Sequence, residues 1–111
     1  MSEEVAEVLE KAADLIETVG HCKGNFSESD DQGNKLAYCA LGAIAEAVDS
    51  MEASYSLRER TEDALERWLF GKLYLGQTGR SIPFWNDHRL RKPEQVVDAL
   101  KQTAKDIRNT H

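Results

Sequence analysis

Val5, Val8, Leu9, Ala12, Leu15, Ile16 and Val19 recur at three- and four-residue intervals and stop at Gly20. Residues so spaced stack on one face of a helix, so the segment reads as an amphipathic helix ended by the glycine. Glu3, Glu7, Glu10, Asp14 and Glu17 fall on the opposite side. Ser2 is placed as its N-cap, and an acidic first turn suits the positive end of the helix dipole. An apolar stripe of this kind has to be covered by other elements, which sets the problem the remaining residues must solve.

Three further helices are expected. One runs from about Tyr38 to Met51 on the core line Ala40, Ala43, Ile44, Ala47, Val48 and Met51. The next opens at Ser56-Leu57-Arg58-Glu59, a capping-box pattern, continues through Ala64, Leu65, Trp68 and Leu69, and ends near Gly71. The last begins at Pro93, a first-turn proline, and turns Val96, Val97, Leu100, Ala104 and Ile107 inward. Between them the periodicity lapses twice. Residues 21–37 hold the turn formers Asp31, Gly33 and Asn34 and read as a long loop or a poorly defined hairpin. Residues 75–92 read as a second irregular stretch. The expected fold is mainly α, one domain over residues 1–111, of about four helices with two long loops.

A chain of 111 residues with 41% hydrophobic content is large enough to bury a core. No apolar run approaches the roughly 18 residues that cross a bilayer, and the acidic start is unlike a signal peptide. A cytoplasmic protein is expected, with Cys22 and Cys39 as thiols. The net charge of −6 is unevenly spread. Residues 1–66 hold 16 acidic against 5 basic side chains, and residues 67–111 hold 4 against 9. Such halves either attract each other or give the molecule two differently charged faces.

The stretch YCALGAI, residues 38–44, admits two readings. As chemistry, Cys39 in a helix's first turn is a candidate nucleophile, with His88 as base and Asn86 or Asp87 orienting it. As structure, Cys39 and Gly42 form a bare strip that something bulky lies against, and Trp85 of IPFWND is the candidate. Asn86 and Asp87 then hold that turn's backbone. Small apolar neighbours favour the structural reading, which makes Trp85, Asn86, Asp87, Gly42 and Cys39 the binding candidates. His21, Cys22, Cys39 and His88 lack metal-site spacing, and neither metal nor cofactor is expected. The acidic side of the first helix spans about 21 Å, and a DNA-mimicking inhibitor is one alternative for it. Arg89, Arg91, Lys92, Lys101, Lys105 and Arg108 make a basic side, but without interleaved aromatics nucleic acid is not the expected partner.

CALGAI followed by WND and a closing helix begun by basic residues resembles an uncharacterised family of small proteins from actinobacteria and their bacteriophages. The resemblance covers about residues 21–107 and rests on Cys39 to Ala43 and Trp85 to Asp87. After WND this chain reads HRLRK where the family pattern has a shorter link to an Arg-Thr pair, so His88 is local to this protein. The resemblance implies a phage-like setting and supplies no activity. The reading favours an accessory protein that binds a host or phage protein, perturbing host growth or defence, over an enzyme. A Cys39-dependent hydrolase or transferase is the alternative, and self-association is left open.

Overall fold

The computed structural model describes residues 2–71 and 81–110. Among them are helix α1 (Ser2–Thr18), a hairpin of β1 (Ser27–Ser29) and β2 (Lys35–Tyr38), and helices α2 (Ala40–Ser50), α3 (Tyr55–Phe70), α4 (Ile82–Asn86) and α5 (Pro93–Asn109). The protein is mainly α-helical. Among the described residues five helices stand where four were expected, because the second irregular stretch contains α4. The part of that stretch at 75–80 lies outside the described residues, as does the Ser2 side chain expected to cap α1.

The stripe on α1 is buried as its spacing predicts: Val5, Val8, Leu9, Ala12 and Ile16 are all in the core, while Val19 lies beyond the helix and is exposed. Its most extensive packing is against α5, which buries Val96, Val97, Leu100 and Ala104 in the same core. α2 contributes Ala40, Ala43, Ile44, Ala47 and Val48, and α3 contributes Leu57 and Leu65. A fully buried Val or Leu is worth about 1.5–3 kcal/mol of transfer free energy, so these faces dominate the stability.

The acidic and basic halves meet across the α1–α5 contact. The Arg108 guanidinium grips Glu3 through Nε to Oε1 at 3.1 Å and Nη2 to Oε2 at 2.6 Å, and its Nη1 reaches Glu10. Lys101 pairs with Glu17 at 2.9 Å. Three of the five carboxylates proposed as a phosphate-like row are therefore held by cations of the same molecule.

α3 starts earlier than the capping-box pattern predicts. Ser54, not Ser56, is the N-cap: its carbonyl accepts the Leu57 N–H, which leaves Ser56 inside the first turn. Trp68 also departs from expectation, being 39% exposed, while Thr61 is fully buried. Thr61 is tolerated there because its hydroxyl donates to the Leu57 carbonyl at 2.8 Å. Gly71 ends the helix, and Lys92-Pro93 opens α5, with the Lys92 N–H donating to Gln95 Oε1.

Of the two expectations for residues 21–37, a long loop or a poorly defined hairpin, the hairpin is the one that forms. Asp30, rather than Asp31, organises the turn: its Oδ1 accepts the N–H groups of Gln32 and Asn34. These bonds hold its carboxyl below the usual range, the Asn34 backbone contributing most. β1 and β2 pair antiparallel with Ser27 opposite Tyr38 and Glu28 opposite Ala37, and Leu36 is extra on β2 before Lys35 meets Ser29. On the other side of β2, Tyr38 forms a parallel bridge to His21.

Candidate functional site

The start of α2 collects donors that need partners, and three segments supply them. Phe26 gives its carbonyl to the Cys39 N–H at 3.0 Å. Cys39 is the N-cap, and its Sγ accepts the Gly42 N–H at 3.3 Å. Asn86 Oδ1 accepts the Ala40 N–H at 3.0 Å. The orphan donors of a helix N-terminus are thus met by a carbonyl, a sulfur and a side-chain amide.

Gly42 explains itself here. A Cβ at this position would lie 1.9 Å from the Phe26 carbonyl oxygen and 2.7 Å from its carbon. No side chain fits, so the bare strip exists to admit the backbone of Phe26. The atoms nearest a Cβ at Gly42 are those of Phe26 and not of Trp85, the expected cover, which packs against the main core while Cys39 belongs to a smaller cluster with Cys22 and Ala37. Arg91 covers the Trp85 ring, its guanidinium 4.2 Å from the ring centroid, and Arg91 Nε donates to the Trp85 carbonyl. The stacked guanidinium covers a ring that the core leaves half-buried.

Asn86 is the residue on which the site is built. It is fully buried, and its amide makes four hydrogen bonds. Oδ1 accepts from Ala40 N–H and sits 2.8 Å from His21 Nε2; Nδ2 donates to the Cys22 carbonyl at 3.1 Å and to Asp87 Oδ1 at 2.9 Å. A backbone N–H can only donate and a carbonyl can only accept, so the amide's orientation is settled. His21 must then present a protonated Nε2 to Oδ1. One side chain from α4 joins the 21–22 segment to the first turn of α2 with every polar atom satisfied.

Neighbouring bonds reinforce the junction. Asp87 Oδ1 also accepts the Gly24 N–H at 3.0 Å, and Lys23 Nζ donates to the carbonyls of His88 at 2.8 Å and Arg89 at 3.3 Å. Ser81 caps α4, accepting the Phe84 N–H. Gly24, Asn25, Phe26, Cys39, Pro83 and Asp87 line a cavity of about 280 Å³. On the same two segments Phe26, Phe84 and Leu90 stand 60%, 67% and 66% exposed.

Among the described residues no hydrogen bond joins Cys39 to His88; His88 is exposed and its Nδ1 accepts the Leu90 N–H. Burial pushes the Cys39 thiol up, only partly offset by the Gly42 and Leu41 N–H groups, so a thiolate is disfavoured. Cys22, buried beside it, is pushed up to about 11, chiefly by desolvation. Among the described residues no three His, Cys, Asp or Glu side chains gather as metal ligands, and no helix is long and apolar enough to cross a membrane.

One part of this site escapes sequence reasoning, and a second is signalled in the sequence but lies within the stretch read as irregular. Phe26 carries no periodic signal, and its role is played by a carbonyl that any residue has. The short helix α4 was legible: Ser81 two residues before Pro83 is a capped, proline-started first turn. Comparison with curated proteins and with solved structures returns no match. A family model described as a family of unknown function (DUF6197) matches residues 1–106, a span that takes in the CALGAI and WND segments, the hairpin between α1 and α2, and α1 itself, and the chain belongs to that family.

Proposed function

We propose that the protein works by binding another protein, through the face where residues 23–26 meet α4 and the residues after it. The observation that carries this reading is the pairing of a fully satisfied buried amide, Asn86, with large apolar side chains left in solvent on the segments around it, Phe26 after the 21–22 segment and Phe84 and Leu90 on either side of Asn86 in the chain. A junction so firmly fixed holds Phe26, Phe84 and Leu90 in place, and exposed aromatics on a rigid support are the usual anchors of protein recognition. The resemblance to actinobacterial and phage proteins supports a cytoplasmic accessory protein acting on a host or phage partner. A second copy of the chain is a partner of the same class.

The reading is tested by replacing Phe26 and Phe84 together by alanine. Both are exposed, so melting should stay within a degree or two of wild type. Immobilised wild-type protein should retain a defined species from host lysate that the double variant loses. Equal retention by both, with melting unchanged, would place any partner surface elsewhere. A concentration-dependent dimer abolished by the same pair would identify the partner as a second copy.

A further inference from the structure

Cys22 and Cys39 are seventeen positions apart in the chain and side by side in the fold. The parallel bridge pairs His21 with Tyr38, through Tyr38 N–H to the Gly20 carbonyl at 2.9 Å and Cys22 N–H to the Tyr38 carbonyl at 3.1 Å. One residue further along both strands, Cys22 comes opposite Cys39. Side chains alternate along a strand, so both sulfurs lie on the side away from His21 and Tyr38. Ala37 shares that side, in keeping with the buried cluster that Cys22, Ala37 and Cys39 form. Neighbouring strands lie about 4.8 Å apart, within the roughly 4.4–6.8 Å that separates the Cα atoms of bridged cysteines.

The two thiols are held differently. Cys22 Sγ donates its proton to the Asn25 carbonyl at 3.4 Å. Cys39 Sγ accepts the Gly42 N–H, and Cys39 is the one that lines the cavity bounded by Gly24, Phe26, Pro83 and Asp87. A small neutral oxidant can enter there, whereas bulky alkylating reagents meet a residue only 4% exposed.

We propose that Cys22 and Cys39 are a peroxide-oxidisable pair that closes to an intramolecular disulfide, with Cys39 oxidised first and Cys22 resolving. In the first step the minor thiolate form of Cys39, which the Gly42 N–H supports against burial, attacks one oxygen of hydrogen peroxide: an S–O bond forms, the O–O bond breaks, and the leaving hydroxide takes up the proton the thiol released, as water. In the second the Cys22 sulfur attacks the sulfenyl sulfur: the S–S bond forms, the S–O bond breaks, and hydroxide leaves with the Cys22 proton as a second water. The two thiols lose two electrons and the peroxide gains them. This is independent of the partner-binding reading, although the Cys22 carbonyl that holds Asn86 ties the bridge to the same face.

The test is to treat the folded reduced protein with hydrogen peroxide, unfold it without reductant, and label remaining thiols with a maleimide. The expected product is monomeric, takes no label, is lighter by two hydrogen atoms, and yields one peptide pair joined at Cys22 and Cys39 that dithiothreitol separates. In Cys22→Ser, Cys39 should accumulate as a dimedone-reactive sulfenic acid. Two labelled thiols after peroxide, a sulfinic acid on either cysteine without the cross-link, or disulfide-linked dimers would each overturn the proposal. A cross-link in wild type with no dimedone adduct in Cys22→Ser would overturn the order of attack.

Discussion

The α1–α5 contact and the Asn86 junction hold the same molecule together by opposite means. The first spreads its stabilisation over many interchangeable apolar side chains, backed by ion pairs at its rim. The second rests on single atoms: one amide, one carbonyl and one missing Cβ. A distributed contact degrades gradually when a member is lost, whereas a junction of unique partners fails at once. The two should therefore respond differently to mutation.

Asn86→Ala should have the largest effect. It strands the Ala40 N–H and the Cys22 carbonyl and removes the partner of His21, and unpaired buried groups cost about 1–3 kcal/mol each. A total near 4 kcal/mol, read as a lower urea midpoint at unchanged slope, is expected on that scale. A loss comparable to a surface substitution would mean that water replaces the amide, and the contrast between the two regions would collapse.

Gly42→Ala comes next. In most helices this change stabilises by up to about 1 kcal/mol; here the new methyl meets the Phe26 carbonyl and forces the 26–42 contact apart. A loss of about 2–3 kcal/mol is expected, within the range of overpacking. Unaltered or higher stability in equilibrium unfolding would show that residues 24–26 move aside without penalty.

Arg108→Ala should be the mildest. Its partners Glu3 and Glu10 sit at the solvent rim, where ion pairs contribute little and salt screens them. A small drop in melting temperature at low ionic strength, vanishing in molar salt, is expected. A large, salt-independent drop would promote the rim to a structural role equal to that of the buried stripe.

What sequence reasoning recovers follows the same division. α1 and α5 are legible because a stripe of seven or five apolar residues repeats its message, and one misplaced member, such as Val19, does not spoil it. The attraction of the two charged halves is legible too, since it needs only composition. The junction is written once per residue. Gly42 signals that something approaches, but a carbonyl and an indole leave the same mark on the sequence. Trp85, the conspicuous candidate, finds its cover in Arg91 instead. Asn86 reads as an ordinary turn residue because nothing in its local pattern reveals that Ala40 and Cys22, distant in sequence, converge on it. The match to the family model begins at residue 1, earlier than the resemblance carried by CALGAI and WND, which starts at about residue 21.

The packing of α1 against α5 also governs how the polypeptide leaves the ribosome. α1 finds its principal cover in α5, far later in the chain, so until α5 is synthesised the nascent chain carries Val5, Val8, Leu9 and Ile16 without their main partner. Native topology can be completed only after the residues from Pro93 onward clear the exit tunnel. Until then the acidic residues beside that stripe are its protection, since like charges keep nascent chains on one polysome from sticking together.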